Sequence, residues 1–433
     1  MRTALLFAAM GAALLAVAVF QSPTLALQIV CLCLISAVMA VGVNIQWGFA
    51  GLFNVGVMGF AALGGVAAVL VSQPVRGEAW ADGGLGLLSA GVALGVTAVL
   101  VGFARTRLAP GRLRGLITVG LVVAGYFSMR ALFDPAVEAI EAQNPAQFGN
   151  IGGLGLPIIL CWAVGGLFAA GIAYVIGKIA LKLRSDYLAI ATLGISEIII
   201  AVLKNEDWLA RGVKNVSGLD RPVPYEIDLQ SSAAFLARAE AWGIDPITLS
   251  AITVRGSYAL LFLAVLLVVV ILSETALRSP WGRMMRAIRD NRDAAAAMGK
   301  DVTARHIQTF VIGSAVVGIA GAMLTTFEGQ FTPGSYQPLR FTFLIWVMVI
   351  VGGSGNNFGA ILGGFLIWFV WTQAEPAGTL VMNMVTSGMA DGNGLREHLL
   401  DAAPHVRLLL MGLILLVVMR FAPNGLVPET IRR

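Results

Sequence analysis

One carboxylate is conspicuous by its surroundings. Glu197 is the only charged residue between Asp186 and Lys204 in an otherwise apolar run. It follows Asp186 by eleven residues, which on a helix is roughly 16 Å along the axis. A carboxylate that deep in a bilayer costs several kcal/mol unless it is paired, hydrated or protonated. Two uses fit it: a titrating or ligand-facing group, or a hydrogen bond across a helix or subunit interface. A second concentration of chemistry is basic. Residues 279–305 read SPWGRMMRAIRDNRDAAAAMGKDVTAR. Pro280 suits a helix start and Gly299 a helix stop. Trp281, Met284, Ile288, Ala295 and Met298 recur at helical spacing, with Asn291 interrupting the stripe. The expectation is a short amphipathic helix. It would lie on anionic lipid or fit a groove in a cytoplasmic partner, and the small residues Ala294–Ala297 favour close docking.

Polar side chains are sparse elsewhere. Asn54-x-Gly56 and Asn357-x-Gly359 stand in two glycine-rich stretches that resemble each other weakly. Each is followed by a Leu-Gly-Gly triplet, at Leu63 and at Leu362. Interrupted segments at matching places in two halves point to an inverted repeat with a pathway at its interface; ordinary small-residue helix packing accounts for them equally well. No phosphate-binding loop is present, because Gly177-Lys178 and Gly299-Lys300 lack both the following hydroxyl and the earlier glycine. His306, His398 and His405 have no metal-ligand spacing, so no metal and no cofactor are expected. Cys31, Cys33 and Cys161 all lie inside apolar runs and read as small buried hydrophobes.

The elements that carry these residues follow from composition. The 433 residues are 58% hydrophobic and 12% charged, against about 25% charged for a soluble domain. There is too little charge to clothe a water-soluble surface. The net charge of +5 is no nucleic-acid signal, because the basic residues fall in particular loops. About twelve apolar segments are legible, most near the length of about 17–25 residues that spans a bilayer. They are 4–20, 25–45, 51–71, 85–104, 116–133, 156–181, 187–204, 258–276, 307–327, 341–351, 360–371 and 406–419. Several are short or glycine-rich and read as half-helices or re-entrant pieces. The expected fold is an all-α polytopic membrane protein with about 10–12 membrane segments, forming one transmembrane domain over residues 1–433.

Arginines and lysines mark cytoplasmic loops. They cluster at 105–114, at 178–184, at 278–305, and at the ends as Arg2, Arg420, Arg432 and Arg433. Alternate threading puts every cluster on one side, with both termini inside. The first segment is expected to be retained as a span, since it lacks a clear cleavage site. Residues 205–257 then read as an outward-facing cap, with a short helix near Ser231–Trp242, and with Trp208 and Trp242 suited to an interfacial or docking surface.

The 279–305 stretch resembles the cytoplasmic loop of the LivM family, the permease subunits of branched-chain amino-acid importers. Gly282, Arg283, Arg286, Ala287, Ile288, Arg289, Asp290, Ala294, Met298 and Gly299 carry the likeness. It extends through Gly318–Gly321, Val351–Gly355, Leu183–Gly194 with Glu197, and the final Phe421-x-Pro423-x-Gly425-Leu426. Two departures stand out. The Gln, Ser and His that usually follow the second span are absent from Gly48–Val57, where Asn54 is the one polar side chain left. Residues 75–155 are longer than usual and insert extra hydrophobic segments.

The resemblance implies an ATP-binding-cassette importer in the bacterial inner membrane. Its partners would be a LivH-like second permease, two cytoplasmic ATPases and a periplasmic binding protein, and no nucleic acid. ATP would be hydrolysed by the partner, so this chain is not itself an enzyme. Residues 279–305 would be the coupling loop, with Arg283, Arg286, Ala287, Arg289, Asp290, Asp293, Ala294, Met298 and Gly299 against the ATPase. Asn54, Gly56, Tyr187, Thr192, Glu197 and Asn357 are the candidates for the translocation pathway. A urea or short-amide permease of the same family, an ion-coupled secondary transporter carrying its proton on Glu197, and a non-transporting membrane anchor are the competing readings.

Overall fold

The computed structural model describes residues 2–143, 149–389 and 394–429. Arg432 and Arg433 of the basic tail and part of the 75–155 insertion lie outside the described residues. The helices are α1 (Arg2–Phe20), α2 (Pro23–Ala50), α3 (Val57–Ser72), α4 (Gly77–Arg107), α5 (Arg112–Ala142) and α6 (Leu160–Ala180). There follow α7 (Ser185–Asn205), α8 (Asp207–Ala210), α9 (Glu226–Ser231), α10 (Ala233–Trp242), α11 (Pro246–Arg278) and α12 (Pro280–Asp290). The last are α13 (Arg292–Ala297), α14 (Val302–Glu328), α15 (Pro338–Gly352), α16 (Asn357–Thr386), α17 (Gly394–Asp401) and α18 (Val406–Phe421). Among the described residues ten helices are long and apolar enough to cross a membrane, and α3 and α15 are two shorter apolar helices. Each apolar segment read from the sequence is therefore carried mainly by a helix, although residues 51–56 and 156–159 lie outside helices, and the two half-length helices are those flanking the glycine-rich breaks.

α2 is largely buried and lies at the centre, packed by α1, α11, α14, α15 and α16. α3, α6 and α14 pack against one another beside it. Their contact is backbone to backbone. A Cβ added at Gly64 of α3 would come within 1.8 Å of the Gly318 carbonyl of α14. A Cβ at Gly318 would meet Ala169 of α6 at 2.5 Å. With no hydrophobic drive between helices in lipid, such close approach supplies the dispersion contact that holds them together.

α4 and α5, formed by the 75–155 insertion, make a long hairpin that leaves most of its surface exposed. It is fastened near Trp208, whose ring meets Phe133 at 5.5 Å and whose backbone N–H donates to Glu141 at 3.2 Å. Trp208 thus faces the hairpin, whereas Trp242 is exposed. The expected helix near Ser231–Trp242 is present as α10, preceded by the short α9. Antiparallel β1 (Val216–Ser217) and β2 (Gln330–Phe331) tie this cap to the segment after α14.

Two boundaries differ from the sequence reading. The segment ending at Trp371 continues as α16 to Thr386, through Pro376. Its polar end is stabilised by the ion pair of Glu375 with Arg407, whose guanidinium also stacks on Trp371 at 4.7 Å. The amphipathic segment after Pro280 is two helices, because the Asn291 side chain accepts from Ala294 N–H at 2.9 Å and starts α13 afresh. Met285, not Met298, completes its buried face; Met298 is 79% exposed.

Gly64→Leu should lower the melting point of the detergent-purified protein by an amount matching about 1–3 kcal/mol or more of overpacking. Leu at Gly91, which has open space around it, is the control and should leave the melt unchanged.

Candidate functional site

The two glycine-rich breaks meet, and the basic 278–305 stretch reaches them through Arg289. α2 ends at Ala50, and residues 51–56 run as non-helical chain into α3. α15 ends at Gly352, and residues 353–356 turn into α16. Gly355 takes a φ of 81°, which favours glycine. Asn44 bridges the breaks: its amide donates to Asn357 Oδ1 at 3.0 Å, and its Oδ1 accepts from Gly355 N–H at 2.9 Å. Asn357 in turn donates to Ser273 Oγ and Glu274 Oε1 of α11, both at 3.0 Å.

The 51–56 segment has its own partners. Asn54 donates to Gln46 Oε1 at 2.8 Å and accepts from Gly56 N–H at 2.9 Å. Gln46 donates onward to Phe310 O and Ser314 Oγ of α14. Val55 N–H donates to Thr192 Oγ1 at 3.0 Å, and Trp346 Nε1 donates to Asn54 O at 3.0 Å. Trp47, Phe53 and Trp346 enclose the segment, with ring centroids 4.6–5.4 Å apart. Gly56 lies so close to α7 that a Cβ would reach Thr192 O at 2.5 Å.

Of the six residues predicted for the pathway, four therefore lie inside the chain. Asn54, Gly56, Thr192 and Asn357 are buried and satisfied by internal partners. Tyr187 and Glu197 are exposed and share one outer face of α7 with Ile190 and Gly194. Glu197 forms no ion pair with a described residue. Asn44, Gln46 and Trp346 were not singled out from sequence, where each is a lone polar or aromatic residue within an apolar helix. Only their three-dimensional partners mark them.

The predicted coupling residues divide in the same way. Arg283, Ala287, Asp290, Asp293, Ala294, Met298 and Gly299 are exposed. Arg286 reaches back to Leu277 O. Arg289 is held within the chain, where its guanidinium donates to Gly48 O, at the end of α2, and pairs with Glu429 of the tail at 3.0 Å. A cavity of about 610 Å³ lies to each side of Arg289. One is lined by Arg283, Arg286 and Asp290, the other by Trp47, Ser185 and Pro423; Arg289 and Glu429 line both. No cluster of metal-binding side chains occurs among the described residues.

A family model described as "branched-chain amino acid transport system / permease component" matches residues 25–419. The chain belongs to this permease family. It is similar to the "High-affinity branched-chain amino acid transport system permease protein LivM" of Escherichia coli K12, 28% identical over 73% of this chain and 68% of the relative. It is also similar to the "Probable branched-chain amino acid transport permease protein LivM" of Methanocaldococcus jannaschii, 27% identical over 68% of this chain and 73% of that one. A shorter stretch of the permease, 21% of its length, is 30% identical to 28% of the E. coli LivH protein. No solved structure matches. The family fits a chain of many membrane helices whose polar groups are assembled for structure and contact, with no catalytic constellation apparent among the described residues.

Alanine at Asn44 and at Asn357 should each cost about 1–3 kcal/mol by stranding buried partners. The double variant should cost less than the sum, with a coupling of about 0.5–3 kcal/mol in denaturation of the reconstituted protein. Strict additivity would mean that the bridge contributes nothing to stability.

Proposed function

We propose that this permease is one of two membrane chains of an ATP-binding-cassette importer that carries branched-chain amino acids across the bacterial inner membrane. Family membership carries the substrate class and the reaction type. The basic end is then cytoplasmic by the positive-inside rule, and both termini lie inside.

The second permease chain, of the LivH kind, packs on the outer face of α7. The supporting observation is Glu197. An exposed carboxylate within an apolar spanning helix faces either lipid tails or protein and water, and only the second is tolerable. Gly194 lies beside it on the same face, which lets a partner backbone approach closely. Substrate crosses at this seam, with Tyr187 and Glu197 from this chain. Asn54, Gly56, Thr192 and Asn357 act one layer behind, holding the broken helices that form the wall.

The exposed side of α12 and α13 seats the ATPase. Arg283 and Asp290 offer charge, and Ala287 and Ala294 offer small surfaces for close contact. Closure of the ATPase pair on ATP pulls this segment. Arg289 passes the pull to the end of α2 through Gly48 O and to the tail through Glu429. A binding protein delivers substrate at the opposite end, at the cap that exposes Trp242.

Two experiments test this. Ala287→Trp should abolish co-purification of the ATPase and ATP-driven leucine uptake in proteoliposomes, while the melting point of the permease pair stays put. Retained ATPase would refute the docking face. Cysteine in place of Ile190 or Ile198 should crosslink to the second permease in native membranes, whereas cysteine at Ile271 of α11 should not; the reverse pattern would put the seam elsewhere.

A further inference from the structure

We infer that this chain holds an anionic membrane phospholipid, with an acyl chain laid in an apolar groove between α11 and α14 and the headgroup at Arg305 and Trp281. Such a site goes beyond the importer reading and needs only the membrane-spanning fold.

α11 and α14 are pinned together at two ends and stand apart between them. At one end Tyr258 Oη donates to Thr326 O at 3.2 Å, and the Phe262 and Phe327 rings meet at 5.9 Å. At the other, past the corner at Ser279, Trp281 Nε1 of α12 donates to Gln308 Oε1 at 3.3 Å, and the Met285 sulfur accepts from Thr309 at 3.5 Å. The gap between is a groove of about 640 Å³. Leu261, Val265 and Leu272 form one wall and Ile312, Val316 and Ile319 the other, each set on one face of its helix. Buried Ile45 of α2 lines it from behind.

The dimensions select a hydrocarbon chain over a protein segment. From Leu261 to Leu277 the groove follows sixteen residues of α11, about 24 Å. Its average section is then about 27 Å², whereas a helix 10–12 Å across needs about 80–110 Å². A hydrocarbon chain is roughly 4–5 Å thick by carbon contact distances, and sixteen to eighteen carbons extend for roughly 20 Å. The charge at one end names the lipid. Arg305 and Gln308 continue the α14 stripe of Ile312, Val316 and Ile319 toward α12. Arg305 donates at 2.9 Å to the same Gln308 oxygen that Trp281 bonds at 3.3 Å, so at most about 6 Å separates guanidinium from indole nitrogen. Trp281 lines the groove. Arg305 forms no ion pair with a described residue, and Asp301, one turn before it, is engaged as the cap of Ala304 N–H. A basic site between spanning helices takes an anionic headgroup, and an indole beside it suits the interface. The phosphate meets Arg305, and the chain runs from Trp281 toward Leu261. A lipid so placed braces the corner from which α12 leaves α11.

The permease, purified from membranes with its native partners, is placed in nanodiscs of phosphatidylcholine with a minor share of phosphatidylglycerol bearing a photoreactive diazirine in its acyl chain. After illumination, labelling at Leu272, Ile312 and Val316 should stand well above that at Ile271, which is exposed on α11 outside the groove. Unlabelled phosphatidylglycerol should compete for the groove, and added phosphatidylcholine should not. Arg305→Gln should cut the advantage of phosphatidylglycerol by about fivefold. Ala264→Trp, which fills the groove from its exposed rim, should remove groove labelling and leave that at Ile271. Equal labelling inside and outside the groove, equal competition by the two lipids, or an unchanged preference in Arg305→Gln overturns the site. So does a crosslink in native membranes from cysteine at Ile312 to another protein chain, which would put a partner in the groove. Leucine uptake is scored separately, and its absence would defeat the importer reading alone.

Discussion

A polypeptide that stops being helical inside an apolar surrounding must satisfy its backbone from its own side chains, because no water does it. Residues 51–56 are that place in this permease. The chain leaves α2 through a left-handed turn at Gly51, whose N–H still bonds Trp47 O, runs as non-helical chain to Gly56, and re-enters as α3. Thr192 takes the Val55 N–H, Asn54 takes the Gly56 N–H, and Trp346 supplies a donor to Asn54 O. Those partners come from α7, the segment itself and α15. The break therefore dictates which helices surround it, and the short length of α3 follows from where it begins.

The second break is solved differently but in the same region. Asn44 reaches from inside α2 to the Gly355 turn and to Asn357 at the start of α16. α2 thus bonds to both interruptions, as does α15 through Trp346 and Val349. The resemblance between the two glycine-rich stretches has this as its structural counterpart: they abut, and a Cβ on Gly48 would lie 2.4 Å from Gly355 N. Small residues serve here as spacers that let two irregular backbones touch.

Much of the fold was legible in the sequence because the property that chiefly decides it, apolar run length, is local. The apolar segments, the amphipathic stretch after Pro280 and the helix near Ser231–Trp242 all follow from runs and punctuation. What was not legible depends on partners far along the chain. Thr372, Gln373, Glu375 and Pro376 read as a helix end, and only the Arg407 side chain on another helix explains why α16 continues. Asn54 and Asn357 read as pathway residues because a lone amide in an apolar run is costly; the structure shows that each is fully partnered inside. Glu197 reads the same way from sequence, yet it points outward. Sequence identifies polar residues at membrane depth, and the fold alone divides them into those satisfied within the chain and those that require another molecule.

The same division sorts the arginines of residues 279–305, and on the importer reading it bears on how force would travel. Arg283 is exposed and can meet a partner, whereas Arg289 is fixed to the end of α2 and to Glu429. Charge reversal at Arg289 would therefore disturb the interior as well as any docking face, and cannot by itself report on docking. α2 is an unbroken helix of 28 residues, so it tilts or shifts as a unit. Ile35 lies 13 residues before Gly48, about 20 Å along the axis. A pull on Gly48 O is consequently felt toward the other end of α2, while α15, which packs against it, is anchored at its own break by different bonds. On the importer reading, relative movement of these two helices is the simplest way for ATP binding at one face to be felt near the other.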